Sequence, residues 1–297
     1  MADVDLEADR YEKHREAGRI LAQVREETVE FVEVGDTYAE VAAFAEDRIR
    51  ELGGGVGFPV NISADEVAAH DTAGIDDERT IGEQMVNLDL GVHVDGWLAD
   101  TAVTVDFTGS DDLVEASAAA LEAAIEVIEP GVETGEVGAV IEATIDGYGY
   151  NPVVNLTGHG LGHWDQHTEP NIPNRAVEQG VALEVGQVVA IEPFATDGGG
   201  KVTEGSRTEI YKLEREDARV RNRTARQVIE QVQAEFRTLP FATRWLDVDR
   251  PALALRRLSQ HDVVHGYPVL KEDEGHLVSQ KEHTVIVTEG GCEVTTA

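Results

Sequence analysis

The chain has 297 residues, of which 58 are acidic and 24 are basic, so its formal net charge at pH 7 is −34. A charge this negative repels nucleic acids and anionic membranes and argues against both as partners. The single cysteine, Cys292, excludes an intramolecular disulfide and a multi-cysteine zinc site.

The acidic residues are spread along the whole chain and do not form a terminal tail. Strong salt shortens electrostatic screening to a few ångströms, so such a surface suits a salt-accumulating cytoplasm and predicts a halophilic protein. The first residues, MADVDLEADRYEKHREAG, lack the apolar core of a signal peptide. No apolar run approaches the ~18 residues of a membrane span, so we expect a cytoplasmic protein.

The N-terminal part is predicted to contain two helices and an extended segment. Apolar residues recur at helical spacing over residues 7 to 33, and a second helix covers Tyr38 to Leu52 before three glycines. Pro59 opposes helix in the segment GFPVNISADEVAAH that follows. This segment ends at His70, in a loop that leads toward the next strands.

Residues Met85 to Asp106 are predicted to form a β-hairpin, because Asp95-Gly96 separates two alternating runs and suits a tight turn. With those two residues in the turn, Asp89 faces Ala102 and lies diagonal to Asp100. Diagonal neighbours are roughly 7–8 Å apart, so both carboxylates could share metal ions. A solvated hairpin with two polar aspartates is the alternative.

Two more helices are predicted, one after Asp111-Asp112 and one from about Thr134 to Asp146. The segment VVNLTGHGLGHWDQHTEPNIPN then begins as a strand and becomes a loop, because its alternating glycines disfavour helix. On such a loop, the histidines His159, His163 and His167 act separately. One can bind a metal while another contacts substrate, and we expect His163 to be exposed.

Two further acidic residues stand in apolar runs, Glu192 in GQVVAIEPF and Glu282 in KEHTVIVTEGG. A buried charge needs a partner. The chain between them is predicted to hold a strand at 207–213, then a helix at 218–236 and further short helices. These helices form a predicted helical insertion subdomain at about 214–266. No flexible linker divides the chain, so we expect a single catalytic domain, 1–297.

Four acids and several histidines form an oxygen-plus-imidazole donor set. Such ligands suit manganese, iron(II), cobalt or zinc, and the sequence leaves the identity of the ion open. A strand glutamate alone is more often an edge residue than a ligand, so the prediction depends on the whole set.

The order of these motifs resembles the methionine aminopeptidases, metallopeptidases of family M24. The similarity rests on AAH at 68–70, Asp89 with Asp100, GHGLG at 158–162 with His167, AIEPF at 190–194 and EHT at 282–284. It implies the α/β (α+β) pita-bread fold, also called the creatinase/aminopeptidase fold, with a curved antiparallel sheet. The long gap before Glu282 and the short N-terminus are similar to the archaeal type 2 form.

The resemblance implies a residue-by-residue role for nine positions. Two divalent metal ions would be bound by Asp89, Asp100, His159, Glu192 and Glu282, with Asp100 and Glu282 bridging. Substrate would contact His70 and His167, and Phe58 and Tyr267 would line the methionine pocket. His70, His167 and Glu192 would be the catalytic side chains.

The implied function is removal of the N-terminal methionine from nascent polypeptides with a small second residue, by water activated at the two ions. The enzyme is expected to be a monomer, and the ribosome is a candidate place of action. One alternative is a Xaa-Pro peptidase of the same fold, although such enzymes carry a large N-terminal domain. The other is a metal-free pita-bread binding protein, which would have lost ligands that this sequence retains.

Overall fold

The structure, a computed structural model, describes residues 4–297. The predicted domain and the predicted charged N-terminus both begin at residue 1, so their first three residues lie outside the described part. No helix within residues 4–297 is long and apolar enough to cross a membrane.

The helices agree with the spacing of apolar residues in the sequence. They are α1 (Asp9–Phe31), α2 (Tyr38–Glu51), α3 (Asp111–Val127), α4 (Thr134–Gly147), α5 (Arg223–Glu235) and α6 (Pro251–Ser259), with a 3-10 helix at Thr243–Trp245. Thr37 is the N-cap residue of helix α2. Its hydroxyl accepts from the Glu40 N–H, and the Glu40 carboxylate accepts from the Thr37 N–H. This reciprocal cap satisfies two N–H groups at the start of the helix.

The strands are β1 (Gly55–Ala64), β2 (Val67–Ala69), β3 (Met85–Val94), β4 (Trp97–Asp106), β5 (Asn151–Pro152), β6 (Thr157–Gly162), β7 (Asp165–Pro173), β8 (Val188–Ile191), β9 (Phe194–Thr196), β10 (Thr203–Leu213), β11 (Phe241–Ala242), β12 (Val264–Lys271), β13 (Val278–Gln280), β14 (His283–Thr288) and β15 (Gly291–Val294). They pair antiparallel in the orders β1-β3-β4, β11-β10-β12-β2, β13-β9-β5 and β15-β14-β8-β6-β7.

The predicted hairpin at the centre of the chain is confirmed. Strands β3 and β4 pair from Met85 with Asp106 to Val94 with Trp97, and Asp89 faces Ala102. Asp95 and Gly96 both have positive φ, as the tight turn requires. Helices α1 and α2 cover this sheet, and their buried apolar residues form one cluster with β1 and β3.

The prediction of a glycine-broken loop around the histidines is wrong, because β6 and β7 form a second hairpin there. The glycines allow close approach of neighbouring strands. A Cβ at Gly158 would lie 2.3 Å from the Ala190 carbonyl oxygen, and one at Gly160 would lie 2.4 Å from that of Glu169. Glycine therefore marks tight strand packing at these positions.

The segment predicted as a helical insertion packs around its own apolar cluster, which joins α5, α6 and β11. The helix predicted at 218–236 is shorter in the structure, where α5 begins at Arg223. Strand β12 starts at Val264, inside the predicted range. An ion pair between the buried Glu46 on α2 and the partly buried Arg244 links this segment to the N-terminal helices.

Candidate metal centre

All nine residues singled out from the sequence line one cavity of about 300 Å³. They come from β1, the residue after β2, the β3–β4 and β6–β7 hairpins, the residue after β8, the middle of β12 and the residue before β14. The nine are Phe58, His70, Asp89, Asp100, His159, His167, Glu192, Tyr267 and Glu282. Residues more than 200 positions apart in the sequence therefore meet at one place.

Asp89 and Asp100 stand diagonally across the β3–β4 hairpin and reach into the cavity. Strand β4 is held against β14 by Thr284, whose hydroxyl accepts from the Asp100 N–H and donates to the Asp100 carbonyl oxygen, both at 2.8 Å. The Glu282 N–H donates to the Ala102 carbonyl oxygen at 3.1 Å. These bonds fix Glu282 beside Asp100.

His159 on β6 completes a compact group with these acids. One ligand atom each of Asp100, His159 and Glu282 lies within 4.8 Å of the others. The His159 Nε2 atom is 3.5 Å from Glu192 Oε1 and 3.9 Å from Asp100 Oδ2. Glu192 directly follows β8, whereas the sequence placed it inside a strand, and Glu282 directly precedes β14, at the strand start that the sequence predicted.

The four carboxyl groups oppose one another's ionisation. Burial raises the pKa of Asp89 to about 7. Burial, and then the charges of neighbouring acids, raise the pKa of Asp100, Glu192 and Glu282 well above the usual range. Within residues 4–297, no lysine or arginine forms an ion pair with any of the four. A bound cation would supply the missing positive charge.

The donor atoms fit divalent ions. Asp89 Oδ1 and Asp100 Oδ1 are buried and have no hydrogen-bond partner among the described residues. Burial lowers the pKa of His159 to about 4, so its ring is neutral at pH 7. With the proton on Nδ1, His159 donates to the Gly160 carbonyl oxygen at 3.2 Å and leaves Nε2 free as a ligand. Oxygen and imidazole donors suit the ions expected from the sequence.

The two histidines predicted to contact substrate flank this group. The His167 ring lies edge-on to His159, with centroids 4.3 Å apart, and the His70 ring lies edge-on to Tyr267 at 5.3 Å. Burial lowers the pKa of His70 to about 4, and burial with nearby His159 lowers that of His167 well below its usual value. Both rings are therefore neutral at pH 7 and can donate or accept one hydrogen bond.

The sequence analysis missed two polar side chains in the cavity wall. The Asn61 side chain accepts from the His70 N–H at 2.8 Å and so supports His70 at its positive φ of 65°. The buried Gln166 amide lies 3.3 Å from Asp100 Oδ2. Neither residue carries a charge, and only the pairing of their strands brings them to the site. His163, expected to be exposed, is exposed at the turn between β6 and β7.

A family model of metallopeptidase family M24 matches residues 12–289. A methionine aminopeptidase of Archaeoglobus fulgidus is 49% identical over 96% of this chain and 98% of its own length. The chain is a member of the methionine aminopeptidases of family M24. This membership confirms the predicted enzyme class, a methionyl aminopeptidase, and the binding of divalent metal that the family name implies.

Solved structures confirm the predicted pita-bread fold of this methionine aminopeptidase. The crystal structure of a methionine aminopeptidase from Thermotoga maritima superposes with a TM-score of 0.72 at 22% identity and covers 100% of this chain and 99% of that one. A prolidase from Pyrococcus furiosus superposes with a TM-score of 0.64 at 18% identity, covering 98% of this chain and 64% of that one. At these identities the similarity concerns the fold.

Proposed function

We propose that this enzyme removes the N-terminal methionine from polypeptides with a small second residue, using two divalent ions. The observation that carries the proposal is the convergence of His159 and four carboxyl groups, none of them paired with a lysine or arginine within residues 4–297, beside two neutral histidines. Asp89, Asp100, His159, Glu192 and Glu282 would hold the ions. When bound, such ions lower the pKa of water and polarise a carbonyl group.

The two neutral histidines would act on the scissile peptide bond. A hydrogen bond from the His167 ring would stabilise negative charge that develops on the carbonyl oxygen. His70, fixed by its backbone bond to Asn61, would orient the scissile amide. Glu192, whose pKa is raised by burial, would carry a proton toward the leaving amine.

The charge and shape of the cavity would set which bond is cut. The free α-amine of a peptide would occupy a ligand position at the acidic inner end of the cavity, which would limit cleavage to the first residue. Phe58, which is 3% exposed, and Tyr267 would pack against the methionine side chain. Selectivity for methionine would come from this confined apolar pocket, in which one methylene is worth only ~1–3 kcal/mol. Selectivity at the second residue would be steric.

The proposal is tested by adding manganese, iron(II), cobalt or zinc to metal-stripped enzyme in molar potassium chloride. Hydrolysis of Met-Ala-Ser should return with added ion and should saturate near two ions per chain. Saturation at one ion would reject the dinuclear centre. Preference for an Xaa-Pro peptide would favour the prolidase-like alternative, and a protein that binds no divalent ion would revive the metal-free alternative.

The β3–β4 hairpin offers a matched pair of substitutions for that assay. Asp100→Asn removes a charge from the cavity and should abolish turnover. Asp95→Asn makes the same chemical change in the turn of the same hairpin, where asparagine before glycine is equally suited. It should keep wild-type activity. Full activity of Asp100→Asn would contradict its proposed role as a metal ligand.

The surroundings proposed for the enzyme follow from its charge and architecture. Nascent chains in a salt-rich cytoplasm would be its substrates, with the ribosome as a candidate place of action. A net charge of −34 favours a monomer without nucleic-acid or membrane contacts. The apolar cluster around α5 and α6 supports residues 214–266 as an insertion subdomain within one catalytic domain.

A further inference from the structure

Gln166 is a buried amide that the catalytic proposal leaves without a task. Gln166 is the second residue of β7 and directly precedes His167. Its side chain lines the cavity, and the residue is only 8% exposed. Its Nε2 atom lies 3.3 Å from Asp100 Oδ2. We propose that Gln166 is a positioning residue that holds the Asp100 carboxylate in the orientation that binds the ions, an inference that rests on the proposed function.

The two oxygens of Asp100 are in different environments. Oδ2 accepts from the Gln166 amide, whereas Oδ1 is buried without a hydrogen-bond partner in the described part of the chain. One donor on one oxygen fixes the plane of the carboxylate and points the other oxygen toward a ligand. Without that donor, Asp100 could rotate about its side-chain bonds, and the ligand geometry would be lost part of the time.

A neutral amide suits this task better than a cationic side chain. A lysine or arginine at this position would form an ion pair with Asp100 and compete with a metal ion for its charge. The amide orients the carboxylate and leaves its negative charge available. Glu282 also has a neutral amide beside its carboxylate, because the Gln280 Nε2 atom lies 3.4 Å from Glu282 Oε2.

The turn before Gln166 is anchored from three directions, so the amide itself is held in place. The Trp164 N–H donates to the Gly96 carbonyl oxygen at 2.8 Å, and the Trp164 carbonyl oxygen accepts from the Thr238 hydroxyl at 2.5 Å. Asp165 forms an ion pair with Lys212 at 3.1 Å. Each contact comes from a different part of the chain, and together they fix the start of β7.

The test measures the dissociation constant of Mn²⁺ by calorimetry on metal-free protein. Gln166→Met keeps the side-chain volume and removes the donor, and Gln166→Asn keeps an amide that is too short to reach Asp100. Both should weaken Mn²⁺ binding about 10- to 100-fold, as is usual when the support of a ligand is removed. Gln227→Met, on the exposed side of α5, is the matched control and should bind like wild type.

Two further readouts separate positioning from simple structural support. The absorption spectrum of the Co²⁺-loaded Gln166→Met protein should shift, and its loss of turnover should appear in kcat more than in KM. A purely structural residue would lower the melting temperature of metal-free protein and leave the Mn²⁺ dissociation constant within twofold of wild type, which would overturn the proposal. If wild type itself binds no Mn²⁺, the proposed function fails first.

Discussion

Phe58 and Gly91 show how closely single residues are matched in the cavity wall. A Cβ at position 91 would lie 2.2 Å from the Cε1 atom of the Phe58 ring. Gly91→Ala should therefore displace Phe58 and raise KM for a methionine substrate several-fold, with less effect on kcat. Steady-state kinetics test this. Gly147→Ala, where nothing lies within 4 Å of the added Cβ, should leave KM unchanged.

The raised pKa values of the carboxyl groups predict how metal binding responds to pH. Burial raises the pKa of Asp89 to about 7, so below that pH the folded protein holds a proton where an ion would bind. Metal affinity should fall as pH decreases from 8 to 6, because each bound ion must displace a proton. Calorimetry of Mn²⁺ binding in buffers of different ionisation enthalpy would count the protons released. A constant affinity with no proton release would contradict this prediction.

The acidic side chains at the site could be predicted from the sequence, and the amide side chains could not. Asp89, Glu192 and Glu282 stand out because an acid in an apolar run is costly unless it has a partner. Asn61 and Gln166 carry no such cost in the sequence. Their positions depend on strand pairings that no local pattern encodes, which is why only the folded structure brings them to the site.

At the scale of elements, Glu46 of α2 and Arg244 of the 3-10 helix form a buried link. Arg244 donates to Glu46, and the Trp245 indole donates to Glu46 Oε2 at 2.8 Å. Burial raises the pKa of Glu46 and lowers that of Arg244, so each charge depends on the other. Glu46→Ala should reduce the free energy of unfolding by about 3–5 kcal/mol, because it leaves the charge of the largely buried Arg244 without its carboxylate partner.

Chemical denaturation measures that loss, and a double variant controls it. Glu46→Leu combined with Arg244→Leu removes both charges together and should cost less than Glu46→Ala alone. If Glu46→Ala costs under about 1 kcal/mol, the two elements are not held together by this pair.

Helices were more predictable than strands in this chain. The spacing of apolar residues located α1 to α4 closely, and the Asp95-Gly96 pair gave the register of β3 and β4. The β6–β7 hairpin was missed because glycine is rare in strands, and the start of β12 was assigned to the helical insertion at 214–266. In both cases the neighbouring strands decide the conformation.

At the scale of the whole molecule, the net charge of −34 predicts stabilisation by salt. Self-repulsion among the acids acts over about 10 Å at 0.1 M salt and over about 3 Å at 1 M. The melting temperature should therefore rise between 0.1 M and 2 M potassium chloride. In the variant Glu115→Lys with Glu126→Lys, both exposed on α3, the rise should be smaller. A melting temperature independent of salt would reject the halophilic interpretation.

The proposed ligands come from strands that are remote in the chain, so a bound ion would tie the two hairpins and β14 together as a crosslink does. Ions that bind only the folded state also shift the unfolding equilibrium toward it. When the cell runs short of metal, these chains would unfold more often and be degraded faster. Metal supply would then govern how long each molecule of the enzyme survives, as well as whether it works.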